Sequence, residues 1–282
     1  MKVYISTGGF SKLSGYNASK KLLKNKISNV ELSGGLFEKN SINNIAKLKK
    51  KLNFRIHNYF PPPKNPFVLN IASLNQKSSK KSMDHVYASI KYCKKLNSDF
   101  YSFHAGFLCD PKVDHLGKKF FTKKMFNRQK AINIFLKRIN KISKFAQKLN
   151  VNILVENNVL NSRYKPNDNP FLMADEKEII DILKKFPKNV KLLLDVAHLK
   201  VSSQTFKFNA RKALKRLNPY VGGYHLSDND GKTDSNDFFH DKSWFWKDLR
   251  KDLNYYSIEV YSENVKKIYK LHNKLIKFLK KK

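Results

Sequence analysis

The chain has 282 residues, enough for one large domain with a substantial core, and it carries 57 Lys and Arg against 22 Asp and Glu, a formal net charge of +35 at pH 7. Mean hydropathy is −0.57, and no apolar run reaches bilayer length, which excludes helical membrane spans. The opening Met1-Lys-Val-Tyr-Ile-Ser6 turns polar too soon for a signal peptide, and two cysteines, Cys93 in a helical pattern and Cys109 in a loop, fit free thiols in a reducing cytoplasm.

Strand-like and helical patterns alternate along the chain. A strand at 3–6 precedes a helix at 17–25. A strand at 30–32 contains Glu31 and precedes a helix at 42–51. The strand at 54–57 ends on His57. A loop at 58–82, with Pro61-Pro-Pro63, leads to a helix at 83–96. The strand at 100–104 ends on His104, followed by a loop at 105–122 and a helix at 124–149. The stripe Ile132, Phe135, Ile139, Ile142, Ala146 gives that helix one apolar side, for packing onto a sheet. The strand at 151–156 ends on Glu156, with a helix at 177–186. The strand at 192–195 ends on Asp195, with His198 three residues on and a helix at 207–217. The strand at 220–225 ends on His225, before a loop at 228–243 and a short helix at 243–249. The strand at 255–260 holds Glu259, and a helix at 263–280 completes the pattern. Eight strands and eight helices predict an α/β fold, a single (β/α)8 TIM barrel in one domain. Loops as long as 58–82 and 105–122 usually bind or cover a ligand. His85 and His272 are expected on helix surfaces.

Glu156, Asp195, His225 and Glu259 are separated by 195−156 = 39, 225−195 = 30 and 259−225 = 34 residues, each the length of one strand-helix unit. Strand C-termini of a parallel barrel converge on one face, where catalytic groups sit. Three carboxylates brought together there repel unless a divalent cation lies between them. A histidine by itself is more often a hydrogen-bonded core or loop residue. His57 and His104 at equivalent strand ends, and His198 in a loop, extend the metal-ligand pattern instead.

The charge has two readings. Arg occupies seven positions, leaving 57−7 = 50 lysines, and Asn, Ile and Phe are abundant beside them. All four have AT-rich codons, and most lysines fall on polar helix faces, so compositional drift accounts for them. The shortage of acids keeps a polyanion partner such as nucleic acid as the alternative.

The motifs Leu154-Val-Glu-Asn157, Leu193-Leu-Asp-Val-Ala-His198, His225-Leu-Ser-Asp-Asn-Asp-Gly231 and Ser257-Ile-Glu259 resemble the xylose isomerase-like barrel superfamily across residues 1–282. That group includes sugar and sugar-phosphate isomerases and epimerases as well as endonuclease IV. Its isomerases imply one divalent ion, Mn²⁺ or Mg²⁺, on Glu156, Asp195, His225 and Glu259. They imply proton transfer by Glu156 and Glu259 through a metal-stabilised enediolate of a small sugar. His198 would then hydrogen-bond substrate oxygens and Glu31 support the site. Asp228 would be a further metal or substrate residue, and Lys232 would contact a phosphate or hydroxyl. The nuclease implies three Zn²⁺ ions, with His57, His104 and His198 added as ligands and abasic-site DNA as substrate. The chain departs from that enzyme after His225. Asp234-Ser-Asn236 stands where an Asp-X-His pair holds the third zinc, and Asp237 and His240 are spaced differently by one residue. The arginine expected after the seventh strand of ketose epimerases is also missing.

Overall fold

Residues 153–155 and 192–194 are apolar at every position, the pattern of strands buried on both faces, and a closed parallel barrel covers both faces at once. The computed structural model, which describes residues 2–115 and 125–281, shows that barrel. Its strands are β1 Val3–Ser6, β2 Asn29–Ser33, β3 Asn53–His57, β4 Phe100–His104, β5 Asn152–Glu156, β6 Val190–Asp195, β7 Val221–Leu226 and β8 Tyr256–Ile258. They pair in chain order, and β8 pairs back onto β1.

Alternate residues of each strand face the barrel interior. Tyr4, Leu154, Leu193 and Tyr255, with Phe100 against them, form an apolar cluster separate from the core between strands and helices. The Arg55 guanidinium lies in this plug, 4.8 Å from the Tyr4 and Phe100 ring centroids. Two positions further along the same strands, on the same face, stand Ser6, Ser102, Glu156, Asp195 and Ser257. The plug is thus the floor on which a buried polar layer rests. Gly223 leaves room for it. A Cβ at Gly223 would stand 3.0 Å from both Leu154 Cδ1 and Tyr255 Cβ. Gly223→Val is expected to overpack the interior and cost roughly 1–3 kcal/mol, read as a lower denaturant midpoint. An unchanged midpoint would show slack in the plug.

The helices are α1 Gly15–Lys24, α2 Ser41–Ala46, α3 Gln76–Lys95, α4 Arg128–Gln147, α5 Glu176–Leu183, α6 Val196–Phe206, α7 Ala210–Leu217 and α8 Val265–Lys280. Asparagine does much of the boundary work. Asn75, Asn127, Asn209 and Asn264 each cap a helix, accepting the amide of the residue three further on, worth about 1 kcal/mol apiece. Asn97 and Asn150 follow the ends of α3 and α4 in the left-handed region usually given to glycine.

The structure corrects several predicted elements. The Asn75 cap starts α3 at Gln76, so the predicted loop 58–82 loses its last residues to the helix. The helical hydrogen bonding of α2 stops at Ala46, short of the predicted residue 51. The segment 243–249 holds only a single 3-10 turn, Trp246–Asp248, and the helix count is restored by α6, which the periodicity did not reveal. His272 is buried, its Nε2 3.2 Å from the Val3 carbonyl oxygen, and His85 is half-buried, stacked 5.5 Å from the Tyr59 ring. Residues 116–122 of the loop predicted at 105–122 lie outside the described residues. Cys93 and Cys109 are both buried. No helix among the described residues is long and apolar enough to cross a membrane.

Candidate metal centre

Strand register brings the predicted residues together. His104 pairs with Glu156 across β4 and β5, and Asp195 with His225 across β6 and β7. Glu259 follows β8 directly. One ligand atom each from Glu156, Asp195, His225 and Glu259 lie within 4.8 Å of one another. Two further sets meet the same limit, His57 with Glu156 and His225, and His104 with Glu156 and His198. Glu156 is common to all three. Its Oε1 lies 3.4 Å from His225 Nδ1 and 3.5 Å from His198 Nδ1, and its Oε2 lies 3.3 Å from His57 Nε2.

The local chain explains these positions. Asp195 ends β6 and begins α6 at once. Its Oδ1 accepts the His198 amide at 2.7 Å as the helix cap, which leaves Oδ2 facing the cluster. Asn157 straps β5 to β6, accepting the Asp195 amide at 2.8 Å and donating to the Asp195 carbonyl at 3.1 Å. Glu259 Oε1 receives the Ser6 hydroxyl at 3.3 Å, and Oε2 lies 2.8 Å from His225 Nδ1.

Both oxygens of Glu156 and Asp195 Oδ2 are buried without a hydrogen-bond partner, the nearest groups to Glu156 being the imidazoles of His225, His198 and His57 at 3.3–3.5 Å. An orphaned buried carboxylate oxygen costs stability unless something positive meets it. Carboxylate oxygen with imidazole nitrogen suits Mn²⁺, Mg²⁺ or Zn²⁺, so the residues present fit a divalent cation. The charges agree. Burial raises Glu156 to about 7, against the pull of the neighbouring His225. Burial likewise raises Asp195 to about 6. His225 is held well above its ordinary range, because Glu31, Glu259 and Glu156 outweigh its burial. Asp195 and Asp234 do the same for His198. His57 and His104 go the other way, depressed by burial and by the other imidazoles, His104 to about 3. They stay neutral, as ligands must.

Among the other predicted residues, Glu31 is fully buried and accepts from His225 Nε2 at 2.9 Å. Asp228 is turned away. Its carboxylate takes Lys200 Nζ at 2.7 Å and the Ser243 hydroxyl at 2.8 Å. Lys232 is exposed and does not border the cavity above the centre. Asn236 is buried with φ 51° and accepts from the Ser227 hydroxyl at 2.9 Å, a loop-building role. Asp237 and His240 are exposed. The Asp-X-His zinc pair therefore has no counterpart at these positions. Asp234 instead reaches His198 Nε2 at 3.1 Å.

A cavity of about 660 Å³ opens above the centre. His104, His198, Asp234 and Glu259 border it, and Arg163 is the only lysine or arginine among its described lining residues. The three long loops supply walls, including Tyr59 and Phe67 from the first, Phe107 and Val113 from the second, and Thr233 from the third. Tyr261 also borders it, as an exposed aromatic on its rim. Tyr255, Ser102 and Tyr261 escaped the sequence reading. Period-two spacing back from Glu259 and His104 reaches the first two, whereas nothing in the sequence marks Tyr261.

Among solved structures, a D-tagatose 3-epimerase-like protein superposes with a TM-score of 0.69 at 16% identity, covering 98% of each chain. The 3-keto-D-glucoside 4-epimerase of E. coli gives 0.67 at 12% identity, over 99% of this chain and 98% of that one. The IOLI protein with a bound zinc atom gives 0.65 at 13%, over 100% of this chain and 96% of that one. At such identities the likeness is one of fold. No curated protein sequence matches the chain. The model of the xylose isomerase-like TIM barrel family matches residues 29–279. The chain belongs to the xylose isomerase-like TIM barrel family.

Proposed function

We propose that the chain is a divalent-metal-dependent isomerase or epimerase acting on a small sugar or sugar phosphate, by proton transfer at a carbon next to a carbonyl. One observation carries the reading. The set Glu156, Asp195, His225 and Glu259, with its unpartnered buried oxygens, lies beneath a cavity sized for a small molecule. A divalent ion there would polarise a substrate carbonyl and its neighbouring hydroxyl.

The chain's own residues divide the remaining work. Glu259 borders the cavity and is the carboxylate placed to take a proton from substrate carbon. Glu156 lies deeper, and its position near 7 suits a group that exchanges a proton at neutral pH. Both ring nitrogens of His198 are engaged, Nδ1 by the Asn157 carbonyl at 2.9 Å and Nε2 by Asp234 at 3.1 Å, so a substrate oxygen would meet the ring only by displacing Asp234. Tyr59, Phe67, Phe107 and Tyr261 exclude water and stack on the sugar's C–H faces. The solved epimerases of the same fold support this reading by analogy.

Glu259→Gln is expected to slow solvent-deuterium incorporation into a turned-over ketose by roughly 10²–10⁴-fold. Exchange at the wild-type rate in both Glu259→Gln and Glu156→Gln would remove the proton-transfer reading.

The His57 and His104 sets favour a second reading, a zinc-dependent abasic-site endonuclease. Against it stands Asn236, engaged with Ser227, and among the described residues lining the cavity Arg163 is the only lysine or arginine. Nicking of an abasic duplex by the zinc-loaded protein, lost in Glu156→Gln, would establish it.

A further inference from the structure

Beneath the candidate centre, counting protons gives a hydrogen-bonded chain a direction. Glu31 is a buried carboxylate, and the Tyr255 hydroxyl donates to it. Its Oε2 receives His225 Nε2–H at 2.9 Å and the Tyr255 hydroxyl at 2.5 Å. A phenol has one proton. The Tyr255 oxygen therefore accepts from Ser102 Oγ, 3.3 Å away. Ser102 has then used its own proton, and its oxygen accepts from His57 Nδ1–H at 3.0 Å. His57 is left with a bare Nε2, which lies 3.3 Å from Glu156 Oε2. Every member of the chain is buried, so water does not compete for these positions.

We propose that Tyr255 is a positioning residue, whose hydroxyl joins Glu31 to Ser102 and so lets the carboxylate that holds His225 Nε2–H also fix the ring tautomer of His57. The result is one nitrogen lone pair, Nε2 of His57, facing Glu156 Oε2 at 3.3 Å. The orientation of the ligands of a metal commonly depends on such outer partners. Packing sets the hydroxyl's place. The Tyr255 ring meets Tyr4 and Phe100 edge-on, at centroid distances of 5.7 and 5.6 Å. Tyr255→Phe keeps those contacts and removes only the relay. The purpose of the device rests on the metal reading above, whereas its operation does not.

The test is a ¹⁵N–¹H correlation spectrum of histidine-labelled protein, chelator-treated and then zinc-reloaded, which reports the protonated nitrogen of each ring. In the wild type, His57 is expected to carry its proton on Nδ1 alone. In Tyr255→Phe, and separately in Ser102→Ala, His57 is expected to become mixed or Nε2-protonated, while His225 keeps Nε2–H on Glu31. Zinc affinity by chelator competition is expected to fall roughly 10–100-fold in both variants. A wild-type His57 protonated on Nε2 overturns the proposal, as does an unchanged His57 signal in both variants. Should Tyr255→Phe fail to fold, Ser102→Ala decides on the same signal. A wild type that binds no zinc sinks the metal reading, and the tautomer pattern still decides the relay.

Discussion

Glu156→Gln is expected to abolish turnover and metal binding together while making the metal-free protein more stable at pH 8. Glu156 belongs to all three candidate ligand sets, so one uncharged replacement weakens every one of them. Loss of a proton-transfer group alone costs roughly 10²–10⁴ in rate, and loss of the ion adds to it. The stability change has the opposite sign. Burial raises Glu156 from 4.5 to about 7, so the folded chain resists its ionisation. That penalty is absent below 4.5 and complete above about 7, where it is worth roughly 1–3 kcal/mol. Glutamine has nearly the same shape and no charge to desolvate. Chelator-treated wild type and variant, unfolded in urea at pH 8, should therefore differ in the variant's favour. A less stable variant would mean that Glu156 is satisfied within the fold and is not waiting for a cation.

The second large effect is a pH dependence that metal reverses. His198 and His225 are held well above 6.5. Above pH 6.5 the folded chain keeps protons that the unfolded chain has released, so stability falls as pH rises, by about 1.4 kcal/mol per unit for each retained proton. Glu156 adds the same sign up to about 7. His57 and His104, depressed, are neutral in both states above pH 6.5 and add no slope there. Below 6.5 they oppose the trend, so the clean window lies above it. A divalent ion displaces the retained protons, and its stabilisation grows over the same window. At a thousandfold excess over Kd it is worth about 4 kcal/mol, a rise in Tm of roughly 7 °C for a chain of this length. Thermal scans at pH 6.5, 7.5 and 8.5, with and without Mn²⁺ or Zn²⁺, read both trends. A chelated protein whose Tm is flat or rising above pH 6.5 would contradict this charge arrangement.

Much of this was legible before the fold was seen, for one geometric reason. The candidate ligands lie at or next to the ends of apolar runs, and those runs are strands whose ends lie on one face of the barrel. Glu156, Asp195 and His225 follow that rule, and His57 and His104 do also. Helix α6 was hidden because its start is not separated from the strand before it. Asp195 serves as strand end and cap together, and burial of Val196, Leu199, Val201 and Ser203 leaves no polar face to give it a period. Asp228 looked like a ligand by proximity to His225, but its partners Lys200 and Ser243 come from elsewhere in the chain. Only three dimensions bring those together. The Glu31, Tyr255 and Ser102 relay is an intermediate case. Each residue sits at an inward position that period-two counting identifies, but nothing local says that their oxygens meet.

Metal content per chain, measured after chelation and reloading in wild type beside Glu156→Gln, tests the central claim most directly. The account predicts a tightly held divalent ion in the wild type and its loss in the variant. A wild type that retains none, or a variant that retains as much, would contradict it.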